Sequence, residues 1–166
     1  PEMVEIATRV RPHSSCLVPE KRAELTTEGG LDVAGQLAKV RDAVQKLHGA
    51  GIVVSLFIDP EIVQLNAARA VGADYVELHT GTYSNTTGAA RAAELNRLKA
   101  AAEYAHGLGI KVNAGHGIDY ENIDGILTVP HLCELNIGHS IVGRAIMVGM
   151  ERAVREMIER MKNYSF

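Results

Sequence analysis

The chain has 166 residues, 46% hydrophobic and 22% charged, with a formal net charge of -3; this composition suits one folded α/β domain with a real core and excludes a disordered chain. The mild acidity, with basic residues scattered along helical segments, gives no basis for nucleic acid or an anionic membrane as a partner, so any phosphate must be recognised locally. No apolar run is long enough to span a bilayer, no basic-then-apolar segment opens the chain, and the protein is expected to be soluble and cytoplasmic.

In chain order, Pro1-Glu2-Met3-Val4-Glu5-Ile6-Ala7 reads as a helix with proline in its first turn. Ser14 to Val18 reads as a short strand, Val33 to Leu47 as a helix, and Ile52 to Ile58 as a β-rich run ending at Asp59-Pro60. A helix from Glu61 to Val71 closes at Gly72, Tyr75 to His79 is a strand, and an Ala-rich helix runs from about Gly88 to His106. Lys111 to Ala114 follows as a strand, Glu121 to Leu127 as a short helix, and Leu132 to Ile137 as the last strand. Ile141 to Met161 closes the series as one helix, whose apolar stripe (Ile146, Met150, Val154, Met157, Ile158, Met161) is expected to face the core. Cys16 and Cys133 sit in apolar strand contexts without metal-ligand spacing, and read as buried thiols in a reducing compartment.

Strands separated by single helices imply parallel pairing with right-handed crossovers. No Pro/Gly/Ser-rich linker divides the chain, so residues 1–166 are expected to form a single domain. Roughly five βα units are present against the eight of a closed barrel, and the opening helix lacks the strand that should precede it. The expectation is therefore the later part of a (β/α)8, or TIM, barrel whose N-terminal strands are absent.

Alternation along the strands sorts the side chains. Ser55, Glu77, His79, Asn113, Glu134 and Asn136 occupy one parity, and Val54, Leu56, Val76, Leu78, Leu135 and Ile137 the other. The apolar set should cover the helices, which leaves the polar set pointing to the barrel axis. Two places deliver chemistry at strand ends: Val112-Asn113-Ala114-Gly115-His116-Gly117 and Glu134-Leu135-Asn136-Ile137-Gly138-His139-Ser140. Loops of this kind, feeding a helix start at Ser140 or Ile141, present backbone N–H groups and a positive dipole end to an anion.

Those two segments, together with Leu17-Val18-Pro19-Glu20-Lys21-Arg22, Thr26-Thr27-Glu28-Gly29-Gly30-Leu31-Asp32-Val33, Ser55-Leu56-Phe57-Ile58-Asp59 and Glu77-Leu78-His79-Thr80-Gly81, closely resemble the pyridoxine 5′-phosphate synthase family, in order, from near Met3 to about Met161. The resemblance implies condensation of 1-deoxy-D-xylulose 5-phosphate with 3-amino-2-oxopropyl phosphate, giving pyridoxine 5′-phosphate, inorganic phosphate and water. It implies no metal or organic cofactor, and a homo-oligomer, typically an octamer. By position, Glu77 resembles the carboxylate that stabilises cationic or transition-state species, and His116 the proton donor. Thr26 resembles a ligand of the deoxyxylulose phosphate, while Gly117, Gly138 and His139 resemble the groups holding the aminoketone phosphate. The family's N-terminal strands, with a further catalytic histidine, a glutamate base and basic phosphate ligands, have no counterpart here, so residues 1–166 are not expected to turn over by themselves.

Two rivals stand beside this expectation. One is a metal-dependent sugar-phosphate epimerase or aldolase on the same fold, with Glu77, His79, His116 and His139 as candidate metal ligands. The other is a non-catalytic phosphate-binding fragment of a barrel.

Overall fold

The computed structural model describes residues 2–19, 29–162 and 164. In chain order the elements are α1 (Glu2–Val10), β1 (Ser14–Leu17), α2 (Leu37–Gly49), β2 (Val53–Ile58), α3 (Ile62–Val71), β3 (Tyr75–His79), α4 (Gly81–Ser84), α5 (Gly88–Gly107), β4 (Lys111–Gly115), α6 (Ile123–Ile126), β5 (Leu132–Asn136), α7 (His139–Val148) and α8 (Met150–Met161). The five strands form one sheet in the order β1-β2-β3-β4-β5, every neighbouring pair parallel. Because successive strands are spatial neighbours, each right-handed crossover returns on the same side, and the intervening helices form a single layer. This one-sided winding is compatible with the arc of a (β/α)8 barrel.

The core lies between that layer and one face of the sheet. Val54, Leu56, Ile58, Val76, Leu78, Val112 and Ala114 are buried there against Val44 and Leu47 of α2, Leu65 and Ala68 of α3, and Leu98, Ala102 and Ala105 of α5. Burying such a side chain contributes roughly 1.5–3 kcal/mol, which is what holds the sheet to its helices.

Register places the other parity in common rows. Phe57 pairs with Glu77, Glu77 with Asn113 and Asn113 with Glu134; His79 pairs with Gly115 and Gly115 with Asn136. These rows lie on the face away from the helices. Ser55, Glu77, His79 and Asn113 are buried, whereas Glu134 and Asn136, on the edge strand β5, are exposed. A register shift between Val112 and Asn113 makes Leu132 and Leu135 pair with apolar Val112 and Ala114, although simple alternation would put Leu132 on the side of Glu134.

Three expectations need correction. The C-terminal helix is two helices, because Gly149 adopts φ 84° and ψ 152°, a conformation open only to glycine; its N–H closes α7 on the Ala145 carbonyl and its carbonyl opens α8 by accepting from Ala153 N–H. The apolar stripe is split by that break: Met157 is buried, but Ile146 is 81% and Met150 52% exposed, with Val154 and Ile158 also outside the core. Cys16 and Cys133 are both free and solvent-exposed, since β1 and β5 are the two edges of the sheet and nothing among the described residues covers them. Sequence signals also missed α4, a single turn directly after β3, and placed the start of α2 four residues early, where residues 33–36 form a turn.

Candidate functional site

The polar groups converge at the carboxyl ends of β2, β3, β4 and β5. Glu77 sits near the middle of this cluster. Its Oε2 accepts from Asn136 Nδ2 at 2.7 Å and from Cys16 Sγ at 3.6 Å. Desolvation raises its pKa above the usual carboxylate range, the Glu134 charge adds to this, and the two donors together with His79 oppose it. Gly115 makes room for the carboxylate: a Cβ there would fall 2.3 Å from Glu77 Oε1 and 3.0 Å from the Asn136 carbonyl oxygen. Cys16 is open to solvent on one side but crowded by protein on the other. That partial desolvation, followed by the Glu77 charge, pushes its thiol up to about 12, so it stays a protonated donor.

His116 follows β4 directly and takes φ 84°, a left-handed conformation that costs a non-glycine residue on the order of 1–3 kcal/mol and persists where the surroundings enforce it. The enforcement is visible. Thr80 Oγ1 lies 2.7 Å from the Gly115 carbonyl and 2.6 Å from that of His116, sharing its one proton between them. Asn122 Nδ2 donates to the Gly117 carbonyl at 2.9 Å, and Ser140 Oγ donates to the Ile118 carbonyl at 2.8 Å. Gly117 also has positive φ (75°), and any Cβ on it would press on Ser84 at 2.7 Å. The half-buried His116 imidazole is held below its ordinary pKa, first by desolvation and then by the nearby His79.

His79, at the end of β3, is buried, and its Nδ1 lies 2.9 Å from Asp59 Oδ1. The Asp59 carboxyl is held below its usual range chiefly by that hydrogen bond. The His79 and His116 rings meet edge to face, inclined at 65° with centroids 5.1 Å apart, and Phe57 packs on both, at 5.1 Å and 6.4 Å. Sequence carries no signal for these roles of Asp59, His79, Thr80, Asn122 and Asn136. Alternation puts His79 and Asn136 on the polar face, His79 is also a candidate metal ligand, and the Asp59-Pro60 step reads as a strand terminator.

Gly138 caps α7 and His139 is its first residue, so the helix opens two residues before the expected Ile141; both are exposed at the same end of the sheet as His116. Thr26 lies outside the described residues. The four candidate metal ligands do not form a metal site: His79 and His116 are in contact, but among the described residues no group of three or more His, Cys, Asp or Glu side chains is arranged to hold an ion. A groove of about 690 Å³ lies elsewhere, lined by Asp119, Tyr120, Arg144 and Glu156 among others. Its Arg144 and Glu156 neutralise each other at 2.8 Å, and it contains none of the strand-end groups, so its size does not make it the site.

A one-sided parallel sheet with carboxylate, imidazole and helix-start groups on its polar face and at its carboxyl strand ends places the chain among α/β proteins with a parallel sheet, the class whose ligand sites lie at that end. Sequence comparison narrows this. The family described as pyridoxal phosphate biosynthesis protein PdxJ matches residues 1–163, and the chain belongs to that family. It is 59% identical over 157 residues to the pyridoxine 5'-phosphate synthase of Photobacterium profundum, covering 94% of this chain and 65% of that protein. Over 157 residues it is 55% identical to the enzyme of the same name from Idiomarina loihiensis (94% and 65%), and over 158 residues 56% identical to that of Akkermansia muciniphila (95% and 64%). The chain spans a little under two thirds of the length of the curated relatives it matches.

Proposed function

We propose that the chain is the larger part of a pyridoxine 5′-phosphate synthase, forming the later βα units of a (β/α)8 barrel and joining 1-deoxy-D-xylulose 5-phosphate to 3-amino-2-oxopropyl phosphate. The observation that carries this is the placement of Glu77 on the polar face of β3 and of His116 in the turn that directly follows the neighbouring β4, in a chain whose relatives bear that enzyme's name. Imine formation and ring closure develop positive charge on nitrogen and move protons on and off oxygen. A desolvated carboxylate held by Asn136 and Cys16 is suited to the first task, because it faces developing charge in low dielectric without reorganising. An imidazole fixed in a rigid turn is suited to the second.

Gly117, Gly138 and His139 are the proposed cradle for the aminoketone phosphate, using exposed backbone at the α7 start, and Thr26 is the proposed ligand of the deoxyxylulose phosphate. The substrates are small and phosphorylated, and the proposed setting is the cytoplasm; among the described residues no helix is long and apolar enough to cross a membrane. The proposed assembly is a homo-octamer, and the uncovered apolar side chains of α7 and α8 supply a surface for contact between subunits. The metal-dependent alternative lacks a convergent ligand set among the described residues.

The test is to incubate the full-length protein with both substrates and follow pyridoxine 5′-phosphate and released phosphate by chromatography. One phosphate per pyridoxine 5′-phosphate is expected. A folded, full-length protein that binds both substrates and forms no product would overturn the assignment.

A further inference from the structure

We propose that Asp59 and His79 are positioning residues for His116, Asp59 fixing the His79 proton on Nδ1 so that the bare Nε2 accepts an N–H from the His116 imidazole. This rests on the synthase assignment above for its catalytic consequence, though not for its geometry.

Three observations converge on it. His79 is 6% exposed, and its Nε2 is a buried polar atom with no hydrogen-bond partner among the described residues, while Nδ1 is engaged by Asp59 at 2.9 Å. In the neutral ring, a carboxylate at Nδ1 fixes the proton there, which leaves Nε2 as an acceptor. A buried acceptor without a donor is costly, and such atoms are retained where a working conformation uses them.

The donor is adjacent. A Cβ built on Gly81 would fall 2.4 Å from His79 Nε2 and 3.1 Å from His116 Cδ2, so the two rings approach one another over a residue that has no side chain. A half-turn of the His116 ring about χ2 exchanges Cδ2 with Nδ1. His116 Nδ1–H then faces His79 Nε2, and His116 Nε2 is left to face substrate. Phe57, packed on both rings, limits them to such turns. The charged and titratable groups around the pair are Asp59 beyond β2, with Arg97 of α5 acting on it, Glu77 on β3 itself, and His116 beyond β4.

The experiment uses the full-length protein with His79→Gln and Asp59→Asn. Each variant is followed by steady-state kinetics with both substrates, thermal unfolding, and NMR titration of the His116 imidazole. The expected result for each is a loss of about 10-fold or more in kcat, a fraction of what a proton donor supplies, with KM for either substrate changed less than about 3-fold. In His79→Gln the His116 pKa should also fall, because the protonated His116 ring loses the Nε2 acceptor that favours it, a readout that a merely structural role would not move; a rise would mean that His79 acts on His116 only as a nearby charge, and would overturn the proposal. If His79→Gln leaves both kcat and the His116 titration unchanged, the proposal fails. If that variant does not fold, Asp59→Asn decides alone: it retains the volume but replaces the carboxylate by an amide whose NH2 can donate to Nδ1 and move the His79 proton to Nε2, so an unchanged kcat would overturn the proposal. The titration needs no turnover, so an unmodified protein without synthase activity would sink the functional assignment while the His79–His116 coupling could still be read.

Discussion

Asn136 reaches across the glycine of β4 to donate a 2.7 Å hydrogen bond to Glu77, two strands away. The contact exists only because Gly115 stands between them without a side chain. Gly115→Ala would place a methyl 2.3 Å from Glu77 Oε1, closer than any real contact, so the carboxylate must swing away. The expected outcome is a folded protein with a lowered melting temperature and at least a roughly 10-fold loss of turnover, consistent with losing one preorganised electrostatic group. Unchanged kinetics would remove Glu77 from the reaction.

The raised pKa of Glu77 makes a stability prediction with a definite sign. Its folded pKa lies above its unfolded one, because burial disfavours the charge. The stabilising contribution is thus complete below the unfolded carboxylate range and is lost as pH rises through the folded value. Glu77→Gln cannot ionise, so it should show a smaller loss of stability between about pH 4 and pH 7 than the parent protein. Urea unfolding at those two pH values measures this, and equal slopes for the two proteins would contradict it.

His116 is the place where backbone and chemistry can be separated. Asparagine tolerates positive φ better than other residues of its size, so His116→Asn should keep the turn held by Thr80 and Asn122. In the full-length protein kcat should fall about 10²-fold or more, while KM for the aminoketone phosphate changes little, since its phosphate rests on Gly117, Gly138 and His139 in the proposed site. A raised KM with unchanged kcat would make His116 a ligand and not an acid.

The alternation of the strands made most of this face legible in advance, because period-2 patterning is local and the apolar parity had to meet the helices. Glu77, His79 and Asn113 follow from that pattern alone. What could not be read were pairings set by register and chain return. Asp59 and His79 are separated by 20 residues in the chain, and nothing in either segment marks them as partners. Asn136 meets Glu77 only after two strand pairings are fixed. The break at Gly149 was hidden for a different reason: the helical period continues through it, and a glycine in the middle of an apolar stripe reads as tolerated. The exposure of that stripe depends on which surfaces meet it, and helical spacing does not encode them.

The divided stripe gives the last prediction. Met157 is 2% exposed and anchors α8 to the core, whereas Ile146 and Met147, on α7, are 81% and 82% exposed. Met157→Ala should therefore cost about 2–5 kcal/mol of stability through loss of buried contacts and the cavity left behind. Ile146→Asp with Met147→Asp removes no core contact, and its intrinsic effect on the fold should be within about 0.5 kcal/mol. If this face joins subunits, the double variant buries two unpaired carboxylates at the interface, a cost no apolar contact offsets. Light scattering after size exclusion should then show the full-length double variant at a lower mass than the parent, with its circular dichroism unchanged. An unaltered mass would mean that α7 is not part of the subunit contact and that its apolar side chains are covered within one chain.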